Sequence, residues 1–354
     1  MSNTPADGQA AAAADHHTPV LLGRCLELLA PAFTVPEPVM IDCTLGMGGH
    51  AEGALERFPQ LTLVGIDRDP QAIALASARL ARFGHRFRAV RATYDAVDAI
   101  AAEASRRPDG TVDAVLMDLG VSSLQLDDAD RGFSYAHPAP LDMRMDQSAG
   151  RTAQDIVDTA DEQELTRILR DYGEERFAAR IAAAIVRRRS AGSPVTSTAE
   201  LSELVRASIP AAARRRGGHP AKRTFQALRI AVNGELQLLE RALPRALNSL
   251  RVGGRLVVES YQSLEDRIVK RVLAAGATSG APADLPVVPD DLQPYLELLT
   301  HGAQKADAAE LEANPRSASV RLRAAVRTRP VGQAPAPNHD AYAPAGNTRG
   351  RNCR

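Results

Sequence analysis

The sequence of 354 residues lacks tryptophan altogether and has only three cysteines, at positions 25, 43 and 353. Their wide separation excludes a disulfide framework and a zinc site built on paired cysteines, so we expect no metal and a reducing, cytoplasmic compartment. No apolar run reaches about 18 residues, so we expect no membrane span. Because 43 basic residues balance 43 acidic ones, any surface for nucleic acid has to come from local clustering of charge.

A glycine-rich turn follows the first predicted strand. Residues 41–50 combine the end of that strand, a turn containing Gly46, Gly48 and Gly49, and the start of a helix; Asp67 ends the next strand, 21 residues beyond Gly46. Glycines let the backbone approach a ligand closely, a helix N-terminus offers free N–H groups, and a carboxylate accepts hydrogen bonds from a ribose diol. The spacing therefore predicts a site for a nucleoside cofactor.

The chain alternates short apolar runs with helical stretches between residues 38 and 118, which predicts an α/β fold with a parallel sheet covered by helices. From about 127 to 228 only helical patterns occur, which indicates an inserted helical domain. Strand and helix patterns then resume; we expect Pro244 to kink a helix that begins near Gly234, and Gly253-Gly254 to turn the chain into a strand over 255–260. The predicted units are tails at 1–15 and 329–354, a sheet domain at 16–126 and 229–328, and a helical substrate-binding domain at 127–228.

Two cofactors are compatible with the turn. The pattern Gly46-x-Gly48-x-x-Ala51 satisfies the loose dinucleotide fingerprint and would suit an NAD-dependent oxidoreductase. Asp118, however, ends the fourth predicted strand, which lies beside the first strand in a doubly wound sheet. Strand-end acids at 42, 67 and 118, with a histidine in the turn, favour S-adenosylmethionine, because it offers an adenosine, a diol and an amino acid but no pyrophosphate.

Ten longer motifs resemble a known family, the bacterial methyltransferases that modify cytosine N4 in small-subunit ribosomal RNA. The resemblance runs in order from about residue 16 to 328, and so many matches are far more specific than one glycine motif. The matching segments are residues 17–22, 44–50, 65–70, 118–123, 125–127, 131–135, 141–146, 224–230, 263–267 and 314–317.

The resemblance implies a class I, Rossmann-like methyltransferase with a seven-stranded, mostly parallel sheet, and S-adenosyl-L-methionine as the cofactor. The cofactor-binding positions that it implies are Gly48, Gly49, His50, Asp67, Tyr94, Asp118 and Gln125. The sequence departs from the family at Tyr94, where phenylalanine is common, and at Gln262, where the family usually has histidine. An aromatic ring at 94 still suits adenine, whereas any role of an imidazole at 262 is lost.

Two acids are candidates to assist the reacting amine. The lone pair of the cytosine amine is delocalised into the ring, so an acceptor for its N–H would help to localise that lone pair. Asp118 is the first catalytic candidate and Asp142 the second. An ion pair between Asp142 and Arg144 is an equally weighted alternative.

A basic segment lies inside the helical region, because no acidic residue occurs between Glu203 and Glu235. Phosphate binding would explain this segregation of charge, although a solvated face or a flexible loop would give the same pattern. We select Lys222 and Arg223 as RNA-binding candidates because they adjoin a matching motif. The expected partner is small-subunit ribosomal RNA or the small subunit itself, and a homodimer is one of the assemblies considered.

Three classes of function therefore remain open from sequence. The first is a ribosomal RNA cytosine-N4 methyltransferase, and the second is the NAD-dependent oxidoreductase. The third is an RNA-binding or assembly factor that keeps a cofactor fold without catalysis; the altered segment from Ser260 to Ser263 is its only support.

Overall fold

A computed structural model describes residues 19–135, 137–214, 219–282 and 287–330 of the chain. The predicted tail at 1–15 and nearly all of the predicted tail at 329–354 lie outside these residues. So do His17, Thr18 and Cys353 and the arginines at 215 and 216 of the basic segment.

One sheet of seven strands forms the centre of the molecule, in the order β3-β2-β1-β4-β5-β7-β6. The first five strands are parallel, while β7 runs antiparallel to both β5 and β6. The predicted class, α/β with a mostly parallel seven-stranded sheet, is confirmed. The strands are β1 Val39–Asp42, β2 Thr62–Asp67, β3 Phe87–Arg91, β4 Val112–Asp118, β5 Leu250–Ser260, β6 Leu296–Leu298 and β7 Arg321–Arg327.

Fourteen α-helices occur within the described residues, accompanied by short 3₁₀ turns. They are α1 Leu22–Leu29, α2 Gly49–Arg57, α3 Pro70–Leu80, α4 Val97–Ala104, α5 Ser123–Asp127, α6 Ala153–Thr159, α7 Glu162–Gly173, α8 Ala178–Ser190, α9 Thr198–Ser208, α10 Ala211–Arg214, α11 Lys222–Asn233, α12 Glu235–Asn248, α13 Ser263–Ala277 and α14 Ala308–Ala313. None of these helices is long and apolar enough to cross a membrane.

Each face of the sheet has its own apolar core. Val39 and Ile41 of β1 belong to the cluster that packs against α4, α12 and α13, whereas Met40 between them belongs to the cluster on the opposite face with α1 and α2. This alternation follows from the two-residue period of a strand. Because helices cover both faces, the central strands are buried throughout.

A third apolar cluster lies away from the sheet and is built by α6 to α9 together with α11. Helix α11 joins it to the sheet, because Phe225 and Leu228 belong to the third cluster while Ile230 belongs to the core beside α12. The predicted domain boundary between residues 228 and 229 therefore falls inside one continuous helix.

One local prediction near β5 needs correction. The predicted turn at Gly253-Gly254 is wrong, because β5 already begins at Leu250 and residues 251–254 form a bulge opposite Asp113 of β4. The Arg251 guanidinium donates to the Asp113 carboxylate at 2.6 Å and closes this bulge. Pro244 lies inside α12, which continues from Glu235 to Asn248.

Candidate active site

A cavity of about 420 Å³ opens at the carboxyl ends of β1, β2, β4 and β5. Parallel strands all end at the same edge of a sheet, so the polar residues that end them converge there, and ligands bind at this edge in doubly wound folds. The lining residues that matter here are Gly46, Gly49, His50, Asp67, Tyr94, Asp118, Gln125, Lys222, Tyr261, Gln262 and Glu265.

The β2 side of the cavity is held by backbone hydrogen bonds. The Asp67 carboxylate accepts from the Gly46 N–H at 2.8 Å and from the Asp69 N–H at 2.9 Å. Burial raises the pKa of Asp67, although these two N–H donors oppose the shift. Gly48 is the N-cap residue of α2 and has a φ of +81°, a conformation that favours glycine. The turn and the acid are therefore one preorganised unit.

The Asp69 side chain connects three of the segments that match the family, at residues 65–70, 125–127 and 131–135. One of its carboxylate oxygens accepts from the Gln125 side chain at 3.1 Å and from the buried Arg131 guanidinium. Its other oxygen accepts from the N–H of Gln71 and caps α3. Arg131 also donates to the carbonyl of Met145, so a single buried ion pair fixes the loops that surround the cofactor edge.

Asp118 lines the cavity at the end of β4. Its backbone N–H donates to the Thr44 hydroxyl at 2.6 Å, and its Oδ1 accepts from the Tyr261 hydroxyl at 2.8 Å. Burial raises the pKa of Asp118 to about 7, and the hydrogen bond from Tyr261 works against that shift. This carboxylate can therefore change its charge near neutral pH.

His50 packs beneath Asp118 in the first turn of α2. Its Nε2 lies 3.0 Å from the carbonyl oxygen of Val20, so that nitrogen carries the proton of the neutral ring. Burial lowers the pKa of His50, although the Asp42 charge opposes this. The His50 Nδ1 lies 3.7 Å from Asp118 Oδ2.

Glu259 is a buried acid that the sequence analysis missed. Burial first, and the neighbouring Asp118 second, raise the pKa of Glu259 well above its usual range. Ligand-type atoms of Cys25, His50 and Glu259 lie within 4.8 Å of one another; Glu259 Oε2 lies 3.4 Å from His50 Nε2, although neither Glu259 oxygen forms a well-aligned hydrogen bond in the described part of the chain. The sequence contained one signal for Glu259, because an acid near the end of a predicted apolar strand is unusual.

The β5 side of the cavity contains three further residues that were not predicted as site residues. Glu265 Oε2 accepts the backbone N–H groups of Tyr261 and Gln262, and Glu265 Oε1 accepts from the Gln262 side chain at 2.8 Å. Burial raises the pKa of Glu265 to about 7, opposed by the charge of Arg229. The matching motif at residues 263–267 was a signal that this segment mattered.

Most of the predicted cofactor positions meet at this cavity. Gly49, His50, Asp67, Tyr94, Asp118 and Gln125 line it. Gly48 instead packs behind the turn, against Leu80. The Tyr94 hydroxyl donates to the carbonyl of Glu235, and both ends of the Gln125 amide are occupied, by Ser122 and by Asp69.

The other predicted residues are spread more widely. Asp142 does not line the cavity; Arg144 donates to both of its oxygens at 2.8 Å, and although burial opposes this, those hydrogen bonds leave the pKa of Asp142 below its usual value. Lys222 is exposed at the rim of the cavity. Arg223 is exposed beside it and donates to the carbonyl of Glu174.

The cavity fits a nucleoside joined to an amino acid. Its volume suits a ligand of that size. The Asp67 carboxylate, held by the glycine turn, lines one side, and the negative charge of ionised Asp118 suits a sulfonium cation. The fold and the site together define a class I methyltransferase that uses S-adenosylmethionine.

Comparison of sequences identifies the group within this class. Residues 14–328 match the MraW methylase family, and the chain belongs to that family. A protein from Beutenbergia cavernae named ribosomal RNA small subunit methyltransferase H is 63% identical over 335 residues, which cover 95% of this chain and 98% of that protein. A protein of the same name from Nocardia farcinica is 57% identical over 311 residues, which cover 88% and 96%. Membership of a methylase family removes the oxidoreductase alternative.

Solved structures show only a distant likeness. An rRNA methylase from Streptococcus thermophilus aligns with a TM-score of 0.38 and 11% identity, over 86% of this chain and 95% of that one. This likeness bears on neither the site nor the substrate.

Proposed function

We propose that this chain transfers a methyl group from S-adenosylmethionine to the exocyclic N4 amine of one cytidine in small-subunit ribosomal RNA, in the decoding region as the family resemblance implies. The observation that carries the proposal is the end-to-end match to relatives that are named small-subunit ribosomal RNA methyltransferases. The grouping of strand-end acids around one cavity supports it. Because ribosomal RNA is the substrate, we further propose a cytoplasmic location.

The cofactor site proposed here is the β2 side of the cavity. Asp67 would accept the ribose hydroxyls, Tyr94 would lie against the adenine, and Gly49 with His50 would border the amino-acid end. Gly48 would act by shaping the turn, and Gln125 by holding the loop after β4 through Asp69. When bound, S-adenosylmethionine supplies a methyl group whose carbon–sulfur bond breaks as the amine nitrogen bonds to it.

Asp118 is the proposed group that assists the amine. One N–H proton has to leave the nitrogen as its positive charge develops, and an ionised carboxylate beside it can accept the N–H hydrogen bond and stabilise that charge. Tyr261 holds Asp118 Oδ1 in place through its hydroxyl. We propose no catalytic role for Asp142, because both its oxygens are bound by Arg144 outside the cavity.

RNA would approach over the rim of the cavity at the start of α11, the helix that joins the helical region to the sheet. Lys222 and Arg223 are exposed at the start of α11, whereas Arg229, about two turns further along, forms a partly buried ion pair with Glu235. Only the first two are therefore proposed as phosphate contacts. We also propose that the helical region is the substrate-binding domain and keep a homodimer as a prediction, which sedimentation of the purified chain would test.

The decisive experiment is methyl transfer from labelled S-adenosylmethionine to small ribosomal subunits that lack their own cytosine-N4 methylation, followed by nucleoside analysis. We expect labelled N4-methylcytidine. Cofactor binding without any transfer, to assembled subunits or to naked RNA, would contradict the proposal and favour the non-catalytic alternative.

A further inference from the structure

A cysteine, a histidine and a glutamate from three distant segments of the chain meet beside the cavity. Cys25 lies on α1, His50 in the first turn of α2 and Glu259 near the end of β5, and all three are buried. Their ligand-type atoms lie within 4.8 Å of one another. Of the three residues, only His50 lines the cavity, so the cofactor does not account for Cys25 and Glu259.

The chemistry of these side chains suits a zinc ion. A thiolate, an imidazole nitrogen and a carboxylate oxygen are common zinc ligands, arranged tetrahedrally at about 2.0–2.3 Å from the ion. Two ligand atoms of such a site lie about 3.3–3.6 Å apart, and His50 Nε2 lies 3.4 Å from Glu259 Oε2. The remaining pairs lie within 4.8 Å. Side-chain movements of about 1 Å would therefore complete three corners of a tetrahedron.

The Glu259 carboxylate lacks a good partner in the protein itself. Its side chain is wholly buried, and neither oxygen forms a well-aligned hydrogen bond within the described residues. Buried charges in proteins are usually paired or coordinate a metal ion. A dication held by one thiolate and one carboxylate leaves no net charge, so a bound ion would remove the cost of burying this acid.

The orientation of the His50 ring fits the same assignment. Its Nε2 is beside Glu259 and also lies 3.0 Å from the carbonyl oxygen of Val20. An ion at Nε2 would replace the proton there, and the neutral ring would carry its proton on Nδ1. Nδ1 lies 3.7 Å from Asp118 Oδ2. A histidine that binds zinc usually directs its other N–H toward a carboxylate, so Asp118 lies where the outer carboxylate of such a site belongs.

We propose that Cys25, His50 and Glu259 form a structural zinc site that ties α1 and α2 to the end of β5. The carbonyl oxygen of Val20 completes the tetrahedron, and binding releases the thiol proton of Cys25. The ion enters as the chain folds, because all three side chains are buried afterwards. The sequence predicts no metal because its cysteines are far apart, whereas the fold supplies the other ligands from distant segments.

The first test measures the metal content of the full chain. The protein is expressed in zinc-supplemented medium, purified without a metal-affinity tag or a chelator, and analysed by inductively coupled plasma mass spectrometry. We expect about one zinc ion per chain. A content below about a tenth of an ion per chain would overturn the proposal and leave the cluster as three neutral groups that pack together.

The second test identifies the ligands by growth in cobalt-supplemented medium. Every protein compared carries Cys353→Ser, so that no thiol outside the described residues contributes. The reference protein should show a thiolate-to-cobalt charge-transfer band together with the visible bands of tetrahedral cobalt. Cys25→Ser should abolish the charge-transfer band, and Glu259→Gln should lower the metal content by about tenfold or more.

The matched control is Cys43→Ser, because Cys43 is the other buried free cysteine among the described residues. It should keep both the charge-transfer band and the metal content. Should Cys25→Ser fail to fold, Cys25→Ala, which leaves a small apolar side chain, replaces it. A charge-transfer band that persists without the Cys25 thiol, or that disappears only in the Cys43 variant, would overturn the assignment.

Discussion

The two sides of the cavity differ in how their polar groups are satisfied. On the β2 side, Asp67 and Asp69 accept backbone N–H groups, and Asp69 also accepts from Arg131 and Gln125. On the β5 side, the Ser260 hydroxyl and both oxygens of Glu259 are buried and form no well-aligned hydrogen bond in the described residues, although Glu259 Oε2 lies 3.4 Å from His50 Nε2. The β2 side is largely hydrogen-bonded before a ligand binds, with Arg68 Nε and Arg131 Nε as its buried exceptions, while the β5 side keeps unpaired carboxylate and hydroxyl oxygens.

This difference separates a preformed side of the cavity from an incomplete one. A preformed side holds the cofactor at little cost in reorganisation, since its groups are already ordered. An incomplete side gains most from a substrate that supplies the missing donors, and such a site penalises substrates that cannot supply them. The following variants test this contrast, beginning with the largest expected effect.

Removing the buried ion pair would break the β2 side. Arg131→Met leaves Asp69 buried without its charged partner, so we expect the free energy of unfolding to fall by about 3–5 kcal/mol. Urea unfolding measures this change. The matched control is Arg316→Met, which opens the exposed pair with Asp127 and should cost about 0–1 kcal/mol. Equal losses in the two variants would show that the preformed scaffold is not what distinguishes this side.

Neutralising Asp118 tests the group at which the two sides meet. Asp118→Asn removes the negative charge beside the reacting amine, and we expect kcat to fall by about 10²-fold or more. Asp142→Asn serves as the control because Asp142 is held by Arg144 outside the cavity, and it should change kcat less than threefold. Single-turnover methyl transfer separates the two. A larger loss for the Asp142 variant would reverse the assignment of these acids.

Truncating Asp67 tests the completed side directly. Asp67→Ala should weaken binding of S-adenosylhomocysteine by about 1–3 kcal/mol, because it removes charge-assisted hydrogen bonds to the ribose. Calorimetry on the folded variant measures this, with the exposed Asp98→Ala as the control. Unchanged affinity would refute the ribose role.

A pH profile tests whether the Tyr261 hydroxyl, which follows β5, lowers the pKa of Asp118. The role proposed for Asp118 requires the ionised carboxylate, so activity should rise as the pH passes the Asp118 pKa of about 7. Tyr261→Phe removes a hydrogen bond that favours the ionised form, which raises this pKa and moves the acidic limb of the kcat profile to higher pH. The control, Tyr295→Phe, lies outside the cavity. An unshifted limb in the Tyr261 variant would separate Tyr261 from the chemistry.

The rim should show the smallest effect. Lys222→Ala and Arg223→Ala would each remove one phosphate contact, lowering the slope of log affinity against log salt by about 0.7–0.9. RNA titrations at several salt concentrations measure the slope, with Arg206→Ala, whose side chain already pairs with Glu203, as the control. A slope unchanged in both variants would move the RNA to another surface.

The sequence alone determined the parallel sheet, the cofactor edge and the reaction class. The apolar runs of β1, β2 and β4 and the spacing from Gly46 to Asp67 are local patterns. Such patterns can be read from the sequence because they depend only on residues that are close together along the chain. The long motifs carried the family. The corrected bulge at residues 251–254 was not local, since it depends on Arg251 meeting Asp113, which lies 138 positions away.

Only the tertiary structure decided which polar groups were already satisfied. Asp142 and Asp118 look alike in sequence, and the fold binds the first to Arg144 while it leaves the second in the cavity. Glu259 gained its importance from its burial beside Asp118 and His50, which only the folded chain brings together. Whether a buried polar group finds a hydrogen-bond partner depends on every element packed against it. This is therefore a property of the assembled fold and not of any one segment of the chain.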